Sequence, residues 1–179
     1  ESELKKVEEL LHRDGSRLES LRELEKKYEG YDRGAKAIML SKERGELDGI
    51  YGLIGDMIET DERFEAALEA ALDRRLGHIV VKGLEEGMQG LRYLKERNCG
   101  RSTFIPITPR GSIRALGRKS GFTEEGLLGP LAQFVRVKEG FSSVIASLLE
   151  GVWLVDNLEI GHRLWKEKKN FQTLVSLDG

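Results

Sequence analysis

The sequence repeats itself, and this repeat limits the possible folds more than any other feature. Gly49-Ile-Tyr-Gly52 returns 77 positions later as Gly126-Leu-Leu-Gly129. The residues that follow keep the correspondence, while the offset shortens to 74 and then to 70. The matched positions include Phe64 with Phe141, Leu68 with Ile145, Gly77 with Gly151, and Thr103 with Thr173. An offset that only shrinks, in small steps, predicts an old tandem duplication with too few copies for a solenoid.

The glycines that open each copy predict tight turns. Glycine tolerates positive φ and allows another stretch of backbone to come close. A short apolar run follows each glycine pair, which is typical of a buried strand. We therefore interpret four residues as structural glycines rather than as ligand contacts: Gly49, Gly52, Gly126 and Gly129.

Apolar spacing after the glycines alternates between strand and helix signatures in both copies. The predicted strands are 53–59, 79–81 and 102–107 in the first copy, and 131–137, 152–155 and 171–177 in the second. Helices are predicted at 60–76, 84–94, 141–149 and 158–165. This order predicts a mixed α/β (α+β) fold with two similar subdomains, each a small sheet with helices. The predicted divisions are subdomain I at 31–109, a connector at 110–125 and subdomain II at 126–179.

Residues 1–30 are predicted to form a coiled-coil helix, because apolar residues occupy a and d positions of a heptad. These positions are Leu4, Val7, Leu11, Leu18, Leu21 and Tyr28. The alternative is a helix packed on its own domain. A shorter helix is predicted between 31 and 47, with Ala35, Ile38 and Met39 as its apolar face.

Composition excludes several classes of protein. A single cysteine, Cys99, excludes an internal disulfide and argues against a four-ligand zinc site. No apolar run approaches about 18 residues and the N-terminus is unlike a signal peptide, so we expect a cytoplasmic location without a membrane partner. The net charge of -2 favours neither nucleic acid nor an acidic partner.

The distribution of charge is more informative than its sum. Between residues 97 and 123 there are six basic residues and no acidic one: Arg97, Arg101, Arg110, Arg114, Arg118 and Lys119. Such a cluster can bind phosphates through charge alone, without reading a base sequence. The alternative is a solvated surface. A second cluster around residues 162–169 is interrupted by Glu167 and is interpreted as a solvated surface.

Catalytic and cofactor motifs are not evident. Residues 111–120 approach a P-loop, but the second glycine is one place late and Arg118 stands where lysine is needed. His12, His78 and His162 are scattered, and His162 matches Met88 in the repeat, which favours a structural role. We predict no catalytic residue, cofactor or metal in this chain.

These segments together strongly resemble the hinge domain of SMC (structural maintenance of chromosomes) proteins of the bacterial or archaeal type. The resemblance covers nearly everything after Tyr28, and the N-terminal helix resembles the adjoining coiled coil. It is carried by the segments 49–58, 64–72, 79–81, 93–95, 100–106 and 173–179. No single motif is specific, but the combination is.

The resemblance implies a module that joins two SMC chains and binds DNA without sequence specificity, in a nucleoid-associated cytoplasmic protein. It also implies that ATP and Mg²⁺ belong to head domains absent from this chain. One departure is that the chain stops at Gly179, before the paired glycines and the returning coiled coil of the family. Dimerisation of this shorter chain is therefore in question.

The duplication itself also predicts dimerisation, because each copy ends in a strand that could pair with another chain. The predicted interface residues are Thr103, Phe104, Ile105, Thr173, Leu174 and Val175. The alternative is that helices or loops cover both edges. Two rival functions stay open: a small-ligand or nucleotide-binding α/β enzyme fragment with a site between the halves, and a coiled-coil scaffold with no nucleic-acid role.

Overall fold

The computed structural model describes residues 11–20, 22–23, 28–107, 124–167 and 171–179. The N-terminal helix α1 is helical over 11–20, where Leu11 and Leu18 are both exposed. The other predicted heptad positions Leu4, Val7 and Leu21 lie outside the described residues. The coiled coil therefore stays a prediction, while Tyr28 at the end of this segment is buried.

Helix α2 precedes the first repeat, in which short strands alternate with helices. The bounds are α2 Arg33–Glu43, β1 Ile50–Leu53, β2 Ile58–Thr60, α3 Glu62–Leu72, β3 Ile79–Val81, α4 Leu84–Glu96 and β4 Phe104–Pro106. The predicted apolar face of α2 is buried, as expected from its spacing.

The second repeat contains the same strands and helices in the same order. Their bounds are β5 Leu127–Pro130, β6 Val135–Val137, α5 Ser142–Leu148, β7 Val152–Val155, α6 Leu158–Lys166 and β8 Thr173–Ser176. Strand order is β1-β3-β4 in one sheet and β5-β7-β8 in the other. In both sheets the first pair is antiparallel and the second pair parallel.

The correspondence between the repeats extends to the register of the strands. Ile79 lies opposite Phe104, and their matched positions Trp153 and Leu174 also lie opposite each other. The antiparallel pairs carry the same irregularity at the same place, between Ile50 and Gly52 and between Leu127 and Gly129. The mixed α/β fold with two similar sheets is confirmed, while the exact subdomain boundaries remain predictions.

Two predicted strands were wrong in extent. Residues 53–59 and 131–137 were each predicted as one strand, but a 3-10 segment interrupts both, at Ile54–Met57 and Leu131–Phe134. The apolar run misled the prediction because Ile54 and Leu131 are fully buried, and periodicity cannot separate a buried strand from a buried turn. The interruption redirects the chain, so that β1 and β5 stay in their own sheets while β2 and β6 leave them.

Strands β2 and β6 pair with each other and join the two halves. The register places Glu59 opposite Arg136, which occupy matching positions in the repeat. The Thr60 hydroxyl donates to the Phe134 carbonyl at 2.7 Å, and Arg136 pairs with Asp61 at 2.7 Å. The two halves are thus related by an approximate two-fold axis near the Glu59 and Arg136 pair.

One hydrophobic core spans both halves. Its buried residues from the first repeat are Ile54, Met57, Ile58, Ala67, Leu68, Ala71, Leu72 and Val80, and those from the second are Leu131, Val144, Ile145, Leu149, Val152, Leu154 and Val175. Burial of this apolar surface is the main stabilising contribution. The two sheets are separate, but the core that supports them is shared.

Two equivalent apolar grooves at the sheet edges

The sheet of the first repeat ends at β4, and a groove runs along this edge. The cavity measures about 620 Å³. We call it groove 1, and its lining residues are Leu84, Gly87, Met88, Leu91, the β4 segment 102–107, and Ser143, Val144, Ser147 and Leu148 of α5. Both halves of the chain therefore contribute to it.

A second groove runs along β8, the edge of the other sheet, with a cavity of about 400 Å³. We call it groove 2, and it is lined by Val155, Leu158, Gly161, His162, Trp165, Gln172, Thr173, Leu174 and Ser176. With the exception of Val155, every one of these residues matches a residue of groove 1 in the repeat. The duplication has therefore produced the same site twice.

Each groove carries a row of exposed apolar side chains with helical spacing. The exposed fractions are 59% for Leu84, 45% for Met88, 45% for Leu91, 75% for Leu158 and 56% for Trp165. The sequence places Leu84, Met88, Leu91 and Leu94 on one apolar face of a helix, and α4 contains all four. Of these four residues only Leu94 is buried.

Glycines on the inner side of α4 explain why these apolar side chains are exposed. The side of α4 that packs on the sheet carries Gly87 and Gly90, which are buried. A Cβ atom on Gly90 would lie 2.6 Å from Cζ of Phe104, so the aromatic ring fits only because glycine has no side chain. An apolar row beside a glycine-bearing inner face is the signal that could have identified an exposed binding surface from sequence.

The edge strands predicted as the dimer interface lie at these grooves. In the described part of the chain, β4 pairs only with β3 and β8 only with β7. Thr103 and Thr173 are exposed, Phe104, Ile105 and Leu174 are half-buried, and Val175 is buried. Val175 belongs to the shared core, so its side chain faces inward while its backbone lies on the edge strand.

The structural glycines form turns at the far side of each sheet. Gly49 has φ of 68° and Gly126 has φ of 81°, a region that disfavours other residues. The carbonyl of each accepts a bond at the matching position, from Lys82 N at 2.9 Å and from Asp156 N at 3.0 Å. Gly52 and Gly129 mark the irregular positions of β1 and β5.

The predicted basic cluster is described only in part. Arg97 pairs with Glu46 at 3.4 Å, and its guanidinium carbon lies 4.7 Å from the centre of the Tyr93 ring. Tyr93 donates to the same Glu46 carboxylate at 2.9 Å, and burial together with this bond raises the pKa of Tyr93. Arg101 is exposed. Arg110, Arg114, Arg118 and Lys119 lie outside the described residues.

Metal-ligating side chains do not cluster in the described part of the chain. Histidine, cysteine and carboxylate side chains form no group of three or more there that could hold a metal ion. Among the same residues, no helix has the length and apolarity to cross a membrane.

A duplicated α/β domain with an apolar groove along one sheet edge in each half is the class that this fold and these grooves define. Residues 47–165 match the family model described as SMC proteins Flexible Hinge Domain. This match covers more than half of the chain, so the chain belongs to the SMC hinge family, and the resemblance noted in the sequence is confirmed.

Curated relatives agree with this assignment. The chain is 34% identical over 170 residues to the chromosome partition protein Smc of Halothermothrix orenii, covering 92% of this chain and 14% of that protein. It is 32% identical over 166 residues to the Smc protein of Myxococcus xanthus, with the same coverage of 92% and 14%. The chain therefore spans a small part of the length of these relatives.

Solved structures agree as well. A crystal structure of an asymmetric dimer of the Geobacillus stearothermophilus SMC hinge domain has a TM-score of 0.72 and 30% identity, covering 99% of this chain and 73% of that chain. The hinge domain of the Pyrococcus furiosus SMC protein has a TM-score of 0.61 at 23% identity, covering 92% and 82%, and shows the shared fold.

Proposed function

We propose that this chain is the dimerisation hinge of a chromosome partition protein and that it joins two copies through grooves 1 and 2. The observation that carries the proposal is the presence of two equivalent sheet edges, each flanked by an exposed apolar row. An edge strand offers backbone groups that a second chain can bind. Contiguous exposed apolar surface favours a protein partner.

Pairing β4 of one chain with β8 of its partner joins two three-stranded sheets into one continuous sheet. A two-fold dimer forms two such junctions, because each chain supplies one β4 and one β8. The β4 and β8 edges of both chains are then paired, so neither edge is left to bind a third chain. The dimer captured for the Geobacillus stearothermophilus relative supports self-association in this family.

The apolar rows supply the main free energy of association. Leu158 and Trp165 are the most exposed large apolar side chains of groove 2, and Leu84 is the most exposed of groove 1. Burial of apolar surface stabilises by about 25 cal/mol per Å², and tryptophan is among the residues that most often dominate an interface. The strand pairing adds hydrogen bonds and fixes the direction of approach.

Sedimentation equilibrium of the full-length protein, without nucleotide, tests the proposal. The wild-type protein should be dimeric, and the double variant Leu84→Glu with Trp165→Glu should be monomeric with an unchanged circular dichroism spectrum. Gln89→Glu is the matched control, because Gln89 is exposed on the same helix but does not line the groove. A monomeric wild-type protein would contradict the proposal.

We propose in addition that the hinge binds DNA without sequence specificity through its basic cluster. The support is the exposed Arg101 together with four further basic residues between 110 and 119 that lack acidic neighbours in sequence. Arg97 is assigned a smaller part, because Glu46 already balances its charge. Nucleotide binding and hydrolysis, with ATP and Mg²⁺, are assigned to head domains of the nucleoid-associated parent protein outside this chain.

Charge reversal of Arg110, Arg114, Arg118 and Lys119 tests the DNA proposal. The variant should bind DNA more weakly, with the larger loss at low salt, because each phosphate contact adds about 0.7 to 0.9 to the slope of log affinity against log salt. Arg97→Glu should change the slope less. An unchanged slope in the fourfold variant would remove this cluster from DNA binding.

The ligand-binding enzyme alternative has no support from the comparisons. It predicts that added nucleotides raise the melting temperature of the isolated chain, because a ligand that binds only the folded state stabilises it. The hinge proposal predicts no shift.

A further inference from the structure

We propose that Glu46 lowers the affinity of the hinge for DNA, because it holds Arg97 in an ion pair within the chain that a DNA phosphate must displace. Tyr93 positions both charged groups. This role rests on the DNA binding proposed above, and it adds how one arginine of the basic cluster is kept from contributing fully. The Glu46 carboxylate takes the place beside the guanidinium that a phosphate oxygen would otherwise take.

Three side chains from two separate segments meet at the end of α4. Arg97 is the residue that caps the C-terminus of α4, Tyr93 lies one turn before it, and Glu46 lies in the loop between α2 and β1. The Arg97 Nη2 atom lies 3.4 Å from Oε2 of Glu46. Tyr93 Oη donates to the same carboxylate oxygen at 2.9 Å. One oxygen of Glu46 therefore serves both partners.

The position of Glu46 is fixed by the backbone around it as well as by Tyr93. The Glu46 backbone N–H donates to the Ser41 carbonyl at 2.9 Å, and Ser41 is fully buried at the end of α2. Gly45, with φ of 70°, precedes Glu46 in the same turn. Because the carboxylate is already ordered by these contacts, forming the ion pair costs little additional side-chain entropy.

The Tyr93 ring orders the guanidinium of Arg97 without consuming its N–H groups. The Arg97 Cζ atom lies 4.7 Å from the centre of the ring. A guanidinium stacked on an aromatic face keeps its planar fork of donors for an anion. That fork binds carboxylate and phosphate oxygens in the same way. A DNA phosphate and the Glu46 carboxylate therefore compete for one pre-ordered guanidinium.

Other basic residues surround the loop that follows Arg97. Arg33 donates to the Asn98 carbonyl at 2.8 Å, and the Arg101 carbonyl lies against Gly34 at the start of α2. Arg33 and Arg101 are both exposed. The start of α2 thus adds a positive charge to the segment 97–101, which strengthens the attraction of this surface for phosphates.

Exposure allows DNA to displace Glu46. The side chains of Arg97 and Glu46 are 55% and 31% exposed. An ion pair with this much exposure is weak, because water and salt screen it. DNA can therefore replace the carboxylate, but each binding event must first break the pair and approach the negative charge of Glu46.

Removing the charge of Glu46 is the direct test. In the full-length protein without nucleotide, Glu46→Gln should bind a fluorescently labelled duplex of mixed sequence about two- to fivefold more tightly than the wild type at low salt. The slope of log affinity against log salt should steepen by up to about 0.9, because Arg97 then neutralises one more phosphate. Glu46→Ala removes the same acceptor and should give the same result.

An exposed acid in the same loop controls for the general effect of charge. Asp48→Asn removes one negative charge two residues away, and Asp48 is exposed. It should raise the affinity less than Glu46→Gln does and should leave the salt slope as it is in the wild type. A rise equal to that of Glu46→Gln would mean that net charge alone is responsible, and it would contradict the proposed role of Glu46.

A double-variant cycle shows whether Glu46 acts through Arg97. Arg97→Gln alone should weaken DNA binding by less than about twofold, because Glu46 already occupies the guanidinium. In a Glu46→Gln background the same substitution should weaken binding about two- to fivefold and return the salt slope to that of the wild type. Circular dichroism should be unchanged in every variant, since both side chains are at the surface.

The outcomes separate this role from DNA binding itself. Equal effects of Arg97→Gln in both backgrounds, or an affinity that Glu46→Gln leaves unchanged or lowers, would overturn the role of Glu46 alone in a protein that does bind DNA. A wild-type protein whose DNA affinity is unaffected by every substitution in the basic cluster would overturn the proposed DNA binding and the role of Glu46 together.

Discussion

Gly90 and Phe104 fill one volume between α4 and β4, and the second repeat fills the matching volume with two leucines. Gly90 leaves room for the Phe104 ring, whose Cζ lies 2.6 Å from where a Cβ would be. The matching residues are Leu164, which is fully buried, and Leu174. The first repeat therefore pairs a large strand residue with a glycine on the helix, whereas the second repeat pairs two leucines.

This difference between the repeats predicts that Phe104→Leu restores part of the stability lost in Gly90→Leu. Gly90→Leu should lower the free energy of unfolding by about 1–3 kcal/mol or more through overpacking. Phe104→Leu should lower it by about 1 to 2 kcal/mol through lost packing. Combined, the two substitutions rebuild the arrangement of the second repeat, and urea unfolding should show a double variant more stable than Gly90→Leu alone. Additive losses would contradict the prediction.

The shared core predicts a single unfolding transition for both halves. Ile54 and Leu131 come from different repeats and are fully buried in the same cluster. Replacing either by alanine should cost about 2–5 kcal/mol, because each substitution leaves a cavity. Calorimetry should show one transition that moves as a whole. Two transitions, with only one of them shifted, would mean that the halves unfold separately.

Arg75 is predicted to stabilise the contact between the halves. Its guanidinium donates to the carbonyls of Ala71 and Leu72 at the end of α3 and, at 3.3 Å, to the Leu148 carbonyl at the end of α5. Arg75→Met should lower the free energy of unfolding by about 1.5–3 kcal/mol in urea. Arg74→Met, an exposed neighbour, should change it by less than about 0.5 kcal/mol.

We predict that His78 makes the folded protein less stable in mild acid. Burial lowers the pKa of His78 below its ordinary 6.5, the nearby charge of Arg75 lowers it further, and Asp32 opposes both. Just below pH 6.5 the unfolded chain binds more protons at this site than the folded chain, so stability falls as the pH drops through that value. His78→Gln should make the melting temperature depend less on pH between about pH 7 and about pH 5. His12→Gln, on the exposed helix α1, is the control and should leave that dependence as it is in the wild type.

The sequence alone was enough for the architecture, because it records the duplication. The corresponding glycines and apolar runs predicted two sheets of like order, and the segments from Gly49 to Gly179 identified the hinge family. The short strand 79–81 was predicted at its observed bounds. Helices α4 and α6, which follow β3 and β7, were predicted at nearly their observed bounds. These features are local, since a turn, a helix face or a buried strand depends on neighbouring residues.

Tertiary structure decided how the halves join and which apolar residues stay outside. Nothing in the run 53–59 predicts a 3-10 segment that sends β2 to pair with β6, because that pairing depends on residues more than 70 positions away. Leu84, Met88 and Leu91 have the spacing of a buried face, and they are exposed only because Gly87 and Gly90 let the other side of α4 pack against β4. Sequence spacing shows which side chains share a face, but only the packing of distant residues determines whether that face is covered.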